Sequence, residues 1–274
     1  MNKGLKITLI IILSILVIGI IAFLIFALTN KSFKFSFNIA EYKEIAIDEQ
    51  YDNIYDKITI DSKAAKITIK ETDEDKIKVI VYADKEKTKV EKNNNALRII
   101  NDIDGCRGFC FKQTIAKIEL YLPSTYSNTL TINNNFGDID VADFDNLTLN
   151  IDEDAGNIKI GHIKNGNIEN NAGNITIAEA ENLTINEDAG NIEIGKVTNK
   201  LDIKEDAGNI KIDTIDIKEN SNIKNDLGNI EIGKTNKIKI EAHTDLGSSK
   251  VNDSDSSSEI TLTIKNDCGN ITVN

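Results

Sequence analysis

The chain has 274 residues, enough for one large domain or two small ones. Its 44 acidic and 32 basic residues give a formal net charge of −12, and such a surface repels phosphate backbones, which argues against a nucleic-acid partner. Tryptophan is absent and aromatics are sparse, so stacking platforms for bases or sugars are few.

The charge is unevenly placed, because no acidic residue precedes Glu41. Residues 7–29 are almost wholly apolar and uncharged, long enough for a helix across a bilayer, which needs about 20 residues. Lys3 and Lys6 before the run predict a cytoplasmic tail over 1–6, although Lys31 and Lys34 after it pull the other way. A cleaved signal peptide is the alternative. Its apolar core would be shorter, about 7–15 residues, and Ala27-Leu28-Thr29 ends poorly as a cleavage site. The expectation is therefore an uncleaved single-pass anchor in a bacterial cell membrane, with the remainder extracytoplasmic.

Residues 30–52 read as a stalk or an extra strand. Residues 53–126 read as a β-rich region. Lys57-Ile58-Thr59-Ile60 and Lys66-Ile67-Thr68-Ile69 alternate with period 2 and flank Ser62-Lys63-Ala64-Ala65, a glycine-free corner. Further strands at 77–82, 96–100 and 115–122 are expected to be longer and partly antiparallel, capping the first coil of the repeat array.

Residues 127–274 carry a repeat of the form Asp-Ala-Gly-Asn-Ile-x-Ile. Its glycines are Gly137, Gly156, Gly173, Gly190, Gly208, Gly228, Gly247 and Gly269, spaced by 19, 17, 17, 18, 20, 19 and 22. A period near 20 with alternating apolar residues predicts an all-β fold, a parallel β-solenoid resembling a β-helix. Eight coils about 4.8 Å apart would make a rod of about 40 Å. A second strand per coil is expected at Leu147-Thr148-Leu149, Leu183-Thr184-Ile185, Leu201-Asp202-Ile203, Ile215-Asp216-Ile217 and Ile238-Lys239-Ile240. One more inward residue lies between the strands (Ile163, Ala180 or Val197), and the residue before each glycine is also expected to face in. The glycines are expected to turn the corner with φ > 0, and stacked asparagines can bond along it. The outward row Lys159, Thr176, Glu193, Lys211, Glu231 sets opposite charges side by side. The chain stops at Ile271-Thr272-Val273-Asn274, read as the open edge of the stack. The polar insertion 247–258 is read as a flexible excursion that discourages edge pairing.

One apolar N-terminal span, a Ser-x-x-Ala corner, an Ile-Glu-Leu-Tyr-Leu-Pro segment (Ile118 to Pro123) and repeated Gly-Asn/Asp-Ile-x-Ile units occur in that order. This arrangement resembles the bacterial adhesin-like family of β-strand-repeat domains, a domain of unknown function, some of whose members resemble proteins encoded with cell-envelope stress systems. The resemblance spans about residues 40–274. It implies surface exposure and brings no catalytic residues.

Candidate chemistry is thin. His162 and His243, the two histidines, sit at different places in different coils, which does not suit a metal site or acid–base pair. Cys106 and Cys110 frame a short loop and are either bridged, as an oxidising exterior favours, or free thiols. Cys268 reads as a small core residue. Asp154, Asp188, Asp206, Asp226, Asp245 and Asp267 can form a column; calcium would relieve its repulsion, while ordinary solvated turn chemistry needs no ion. Sequons at Asn174, Asn182 and Asn270 follow from the repeat itself. No catalytic, cofactor or metal site is expected. The leading expectation is a non-enzymatic surface module for an envelope component or a protein partner, with self-association through the open solenoid end. A bactofilin-like self-assembling scaffold and a polysaccharide-cleaving β-helix are the alternatives; the latter lacks a convergent acid–base cluster.

Overall fold

The computed structural model describes residues 38–104 and 112–274. The described residues 40–104 and 114–274 form one compact unit; the described residues 38–39 and 112–113 belong to a second. The helix expected at 7–29 lies outside the described residues, and among these no helix is long and apolar enough to cross a membrane. Apart from a single 3-10 turn, Lys85–Lys87, the described secondary structure is strand.

Alternation of isoleucine with polar residues dictates the architecture. In Ile158–Asn170 the buried positions are 158 and 160, then 163, then 166, 168 and 170, and in Ile210–Ile215 they are 210, 212 and 215: period-2 alternation in the two arms of a coil, with one inward residue between them. One coil cannot shield such a face, so coils stack in parallel and in register: Ile158 on Ile175, Ile175 on Ile192, Ile192 on Ile210, Ile210 on Ile230. A second column runs through Ile168, Ile185, Ile203 and Ile223. Phe144, Ile163, Ala180, Val197 and Ile215 join in a third row between the two columns, all buried. Ile215 thus ends a first-column strand. The second strand of its coil is Ser221–Leu227, not the expected Ile215-Asp216-Ile217, because Val197 already occupies the matching place in the coil before.

The expected boundary at 126/127 is no break in the stack. Lys57–Ser62 pairs on one side with Ala96–Asn101 and on the other with Thr129–Asn134, so the first coil lies between two coils that come later in the sequence. Ala64 and Ala65, both fully buried, permit close approach on both sides: Ala116 N donates to Ala64 O at 3.0 Å and Ala65 N to Phe136 O at 2.9 Å. Antiparallel strands close this end. Ile45–Asp52 pairs with Lys76–Tyr82, which pairs with Lys112–Pro123, and Thr88–Asn93 folds back on Ala96–Asn101 through Asn94 at φ +44°. Asparagine is among the few side chains that tolerate this left-handed turn. Part of the expected stalk is therefore a strand of the cap.

The other end departs from the expectation more sharply. Ile271–Val273 lies between Ile230–Ile232 on one side and Ser249–Val251 on the other. Thr261–Cys268 likewise lies between Ser221–Leu227 and Lys239–Leu246. The chain's final coil is inserted beneath the one before it, and the outermost coil is 239–251. Side-chain size explains the order. The inserted coil turns in Leu262, Ile264, Ile271 and Val273, all at most 1% exposed; the outer coil offers Ile240, Ala242, Ser249 and Val251, none fully buried. Burying the bulkier set between two neighbours removes more apolar surface from water. The insertion 247–258 is also no flexible excursion. It contributes the strand Ser249–Val251, and Asp255 N then donates to Ile238 O while Ile240 N donates to Ser254 Oγ, both at 2.9 Å.

Candidate functional site

The corner that turns one column into the other carries most of the polar organisation. Gly137, Gly173, Gly228, Gly247 and Gly269 have positive φ; Gly156, Gly190 and Gly208 do not. For the second group the requirement is space. A Cβ on Gly190 would lie 1.6 Å from Gly173 O, a clash with backbone that cannot rotate away. None of the residues before the corner glycines is buried, against expectation. Ala172 and Ala189 are exposed, Leu227 and Leu246 are 55% and 70% exposed, and Cys268 is half-buried and free.

The inward place at the corner belongs instead to the residue three before the glycine. Asn134, Glu153, Asn170, Glu187, Glu205, Asn225 and Asn266 form a buried polar column, flanked by Ser62 and Asn101 at the capped end. Asn134 Nδ2 donates to Glu153 Oε2 at 2.9 Å, and Asn170 Nδ2 donates to both oxygens of Glu187 at 2.9 and 3.1 Å. Period-2 alternation places these residues inward in the sequence as well; their polarity hides them, since an inward place ordinarily takes an apolar side chain.

Outside the corner an asparagine ladder runs beside the glycines. Backbone N–H groups of Asn174, Asn191, Asn209 and Asn229 each donate to the Oδ1 of the rung before at 3.0–3.1 Å, and their Nδ2 groups bond the same oxygen. The ladder starts on Asp138 and continues through Asn270 to Ser248. Asn174 and Asn270 of the sequons lie in it, and Asn182 lies in a shorter ladder between Asn165 and Asn199. Beside the main ladder stands the row Thr176, Glu193, Lys211, Glu231, in register and exposed. Together they line a shallow groove of about 520 Å³.

The aspartates before the corner glycines are exposed or half-exposed, and four are locally paired: Asp154 accepts from Asn171 Nδ2, Asp206 from Lys204, Asp226 from Lys224 and Asp245 from His243. His162 lies coils away from His243, and its N–H donates to Asp143 Oδ1 at 2.8 Å. Among the described residues no three His, Cys, Asp or Glu side chains gather as a metal site. Cys106 and Cys110 lie outside the described residues.

The Toastrack DUF4097 family matches residues 55–274. The chain belongs to this family. The match takes in every coil of the stack from Lys57 onward, including the inserted Toastrack coil at the end. No curated protein matches the chain. Among solved structures, a proposed lipid-binding protein of Parabacteroides distasonis is 16% identical, with 86% of this chain and 100% of that chain covered and a TM-score of 0.47. A proposed cell adhesion protein of Clostridium sporogenes is 15% identical, with 84% and 99% covered and a TM-score of 0.29. A proposed adhesin of Bacteroides fragilis is 13% identical, with 84% and 98% covered and a TM-score of 0.39. At these values the likeness carries no functional argument about the Toastrack stack.

Proposed function

We propose that this Toastrack chain is a non-enzymatic interaction module, anchored in a bacterial cell membrane through residues 7–29 and displayed on the extracytoplasmic side. The observation that carries the reading is the groove along the asparagine ladder. Its rungs recur at the strand spacing of about 4.8 Å, and its second wall alternates Glu193, Lys211 and Glu231. Each asparagine Nδ2 spends one N–H on its neighbour and keeps a second for a ligand. A surface of this kind suits an extended partner with regularly spaced acceptors, such as a strand of another envelope protein, rather than a compact substrate. Catalysis would need convergent acid, base and nucleophile groups, and the groove's ionisable side chains are fixed one per rung.

Two measurements test the reading. Protease added to cells stripped of wall should degrade the stack while cytoplasmic markers survive. Protection that ends only on lysis would put the stack inside and favour the bactofilin-like scaffold. Binding of the full chain to isolated envelope should fall several-fold with Lys211→Glu, which makes the second wall acidic across three rungs. Unchanged binding would remove the groove from the interaction.

A further inference from the structure

The buried column at the corner repeats one act in three coils, whereas Asn170 turns its amide to Glu187 instead. Asn225 Nδ2 donates to Gly208 O at 3.1 Å, Asn266 Nδ2 to Gly228 O at 2.8 Å, and Thr244 Oγ1 to Gly269 O at 2.9 Å. Each satisfies the corner carbonyl of the neighbouring coil on its cap side, a group turned into the interior that needs a donor.

Three coils put a glutamate in this place. The point where a Cβ on Gly228 would sit is 1.7 Å from Gly208 O and 3.2 Å from Asn225 Nδ2. The same point on Gly208 is 1.5 Å from Gly190 O and 2.7 Å from Glu205 Oε1. On Gly190 the values are 1.6 Å to Gly173 O and 2.8 Å to Glu187 Oε1, and on Gly156 they are 2.1 Å to Gly137 O and 3.1 Å to Glu153 Oε1. A glutamate oxygen therefore stands where the asparagine donor stands, facing a carbonyl oxygen. Two acceptors in that position repel, whereas a carboxylic acid can donate and a carboxylate cannot. Glu153 and Glu205 are 0% exposed and Glu187 is 1% exposed. Neither oxygen of Glu205, and not Oε1 of Glu153, has a hydrogen-bond partner of good geometry among the described residues; the nearby backbone amides of Ala207 and Ala155 favour the charged form only weakly.

We propose that Glu153, Glu187 and Glu205 sit in the folded stack as uncharged carboxylic acids, each donating its O–H to the carbonyl of a neighbouring corner glycine, so that the corner is a proton-binding column that loosens as pH rises. The groups facing them along the column are Asn134 and Asn170 for Glu153, Asn170 and Glu205 for Glu187, and Glu187 and Asn225 for Glu205. The charged groups that bear on them are all acidic: Asp138 and Asp154 on Glu153, Asp188 on Glu187, and Glu187, Asp188 and Asp206 on Glu205. Burial, the largest cause, outweighs the amide donors of Asn134 on Glu153 and Asn170 on Glu187, and with the acidic neighbours it pushes Glu153 and Glu205 up to about 8 and Glu187 up to about 7. The folded value exceeds the ordinary 4.5, so the folded state holds the extra protons. Stability is then complete below about 4.5 and declines as pH rises to about 8.

The test compares the full-length chain with E153Q/E187Q/E205Q, in which each glutamine can donate to the same carbonyl but cannot titrate. Thermal unfolding is followed from about pH 5 to about pH 9. The native chain should lose Tm across this range, and the variant should retain at least half of what the native chain loses. Equal pH dependence in both overturns the proposal. Stability at alkaline pH that collapses with a chelator would also overturn it, since the column would then hold a cation. Should the triple variant fail to fold, infrared spectroscopy of the native chain decides. A protonated-carboxyl carbonyl stretch that persists at neutral pH and weakens in E205Q supports the proposal; carboxyls that all ionise in the ordinary range overturn it.

Discussion

Asn270 donates its backbone N–H to Asn229 Oδ1 at 3.0 Å across 41 residues of chain, and Ser248 N in turn donates to Asn270 Oδ1 at 3.1 Å. The rung that comes last in sequence therefore stands next to last in the ladder. The chain passes the place of one coil, builds the outermost coil first, and returns through 252–260 to fill the gap.

An inserted coil should be far less tolerant than a frayed terminus. Val273 is fully buried one residue from the chain end, with strands on both sides. Val273→Asp should cost about 3 kcal/mol or more, as an unpaired buried charge does, and should expose 239–251 to protease. A Tm equal to the parent's would mean that the last strand lies at the edge after all.

Gly190 tests the crowding at the corner. Its backbone is not left-handed, so alanine brings no conformational penalty of that kind, and the effect comes from the methyl meeting Gly173 O and, less severely, Glu187 Oε1. Gly190→Ala should destabilise by about 2 kcal/mol, in the range of overpacking. Denaturant unfolding measures it; a loss below about 0.5 kcal/mol, the level of an ordinary surface change, would contradict the close contact.

The asparagine ladder should contribute through its oxygen atoms. Asn191 Oδ1 accepts two bonds from Asn209, and the Asn191 amide bonds Asn174. Asn191→Ala should cost about 1 kcal/mol, modest because water can replace part of what is lost at an exposed rung. Hydrogen exchange of the Asn209 amide should quicken in the variant, and unaltered exchange would show that the ladder bond is not what protects it.

The loop at the outer end covers part of the exposed edge of the stack. Lys239–Leu246 pairs through one edge with Thr261–Cys268, and Ser254 and Asp255 engage Ile240 N and Ile238 O. Deleting residues 253–257 should free those backbone groups for another chain and produce concentration-dependent association. Sedimentation velocity checks this. A deletion variant that sediments like the parent at every concentration would show that the loop has no such role.

Much of the fold is legible in residues 137–232. The Gly-Asn-Ile-x-Ile spacing indicates parallel coils, and Ile163, Ala180 and Val197 are buried in the row expected of them. Asn157 and Asn174 bond along the corner as their position suggests. The candidate site was legible only in part. Thr176, Glu193 and Lys211 were recognisable as an outward row, but Glu153, Glu187 and Glu205 look like three more surface acids until the period-2 count is extended through the corner.

The sequence by itself determined which isoleucines, leucines and valines of the strands turn inward, because strand alternation and glycine spacing are local and repeat in every coil; the corner, where alternation meets the turn, was not decided in this way. Only the tertiary structure decided which coil stacks on which. All coils offer nearly the same pairing edge, so local pattern does not distinguish Ile230–Ile232 meeting Ser249–Val251 from Ile230–Ile232 meeting Ile271–Val273. The choice rests on a sum over whole coils, in which the bulkier set Leu262, Ile264, Ile271 and Val273 is buried from both sides and the smaller set Ala242, Ser249 and Val251 is left outermost.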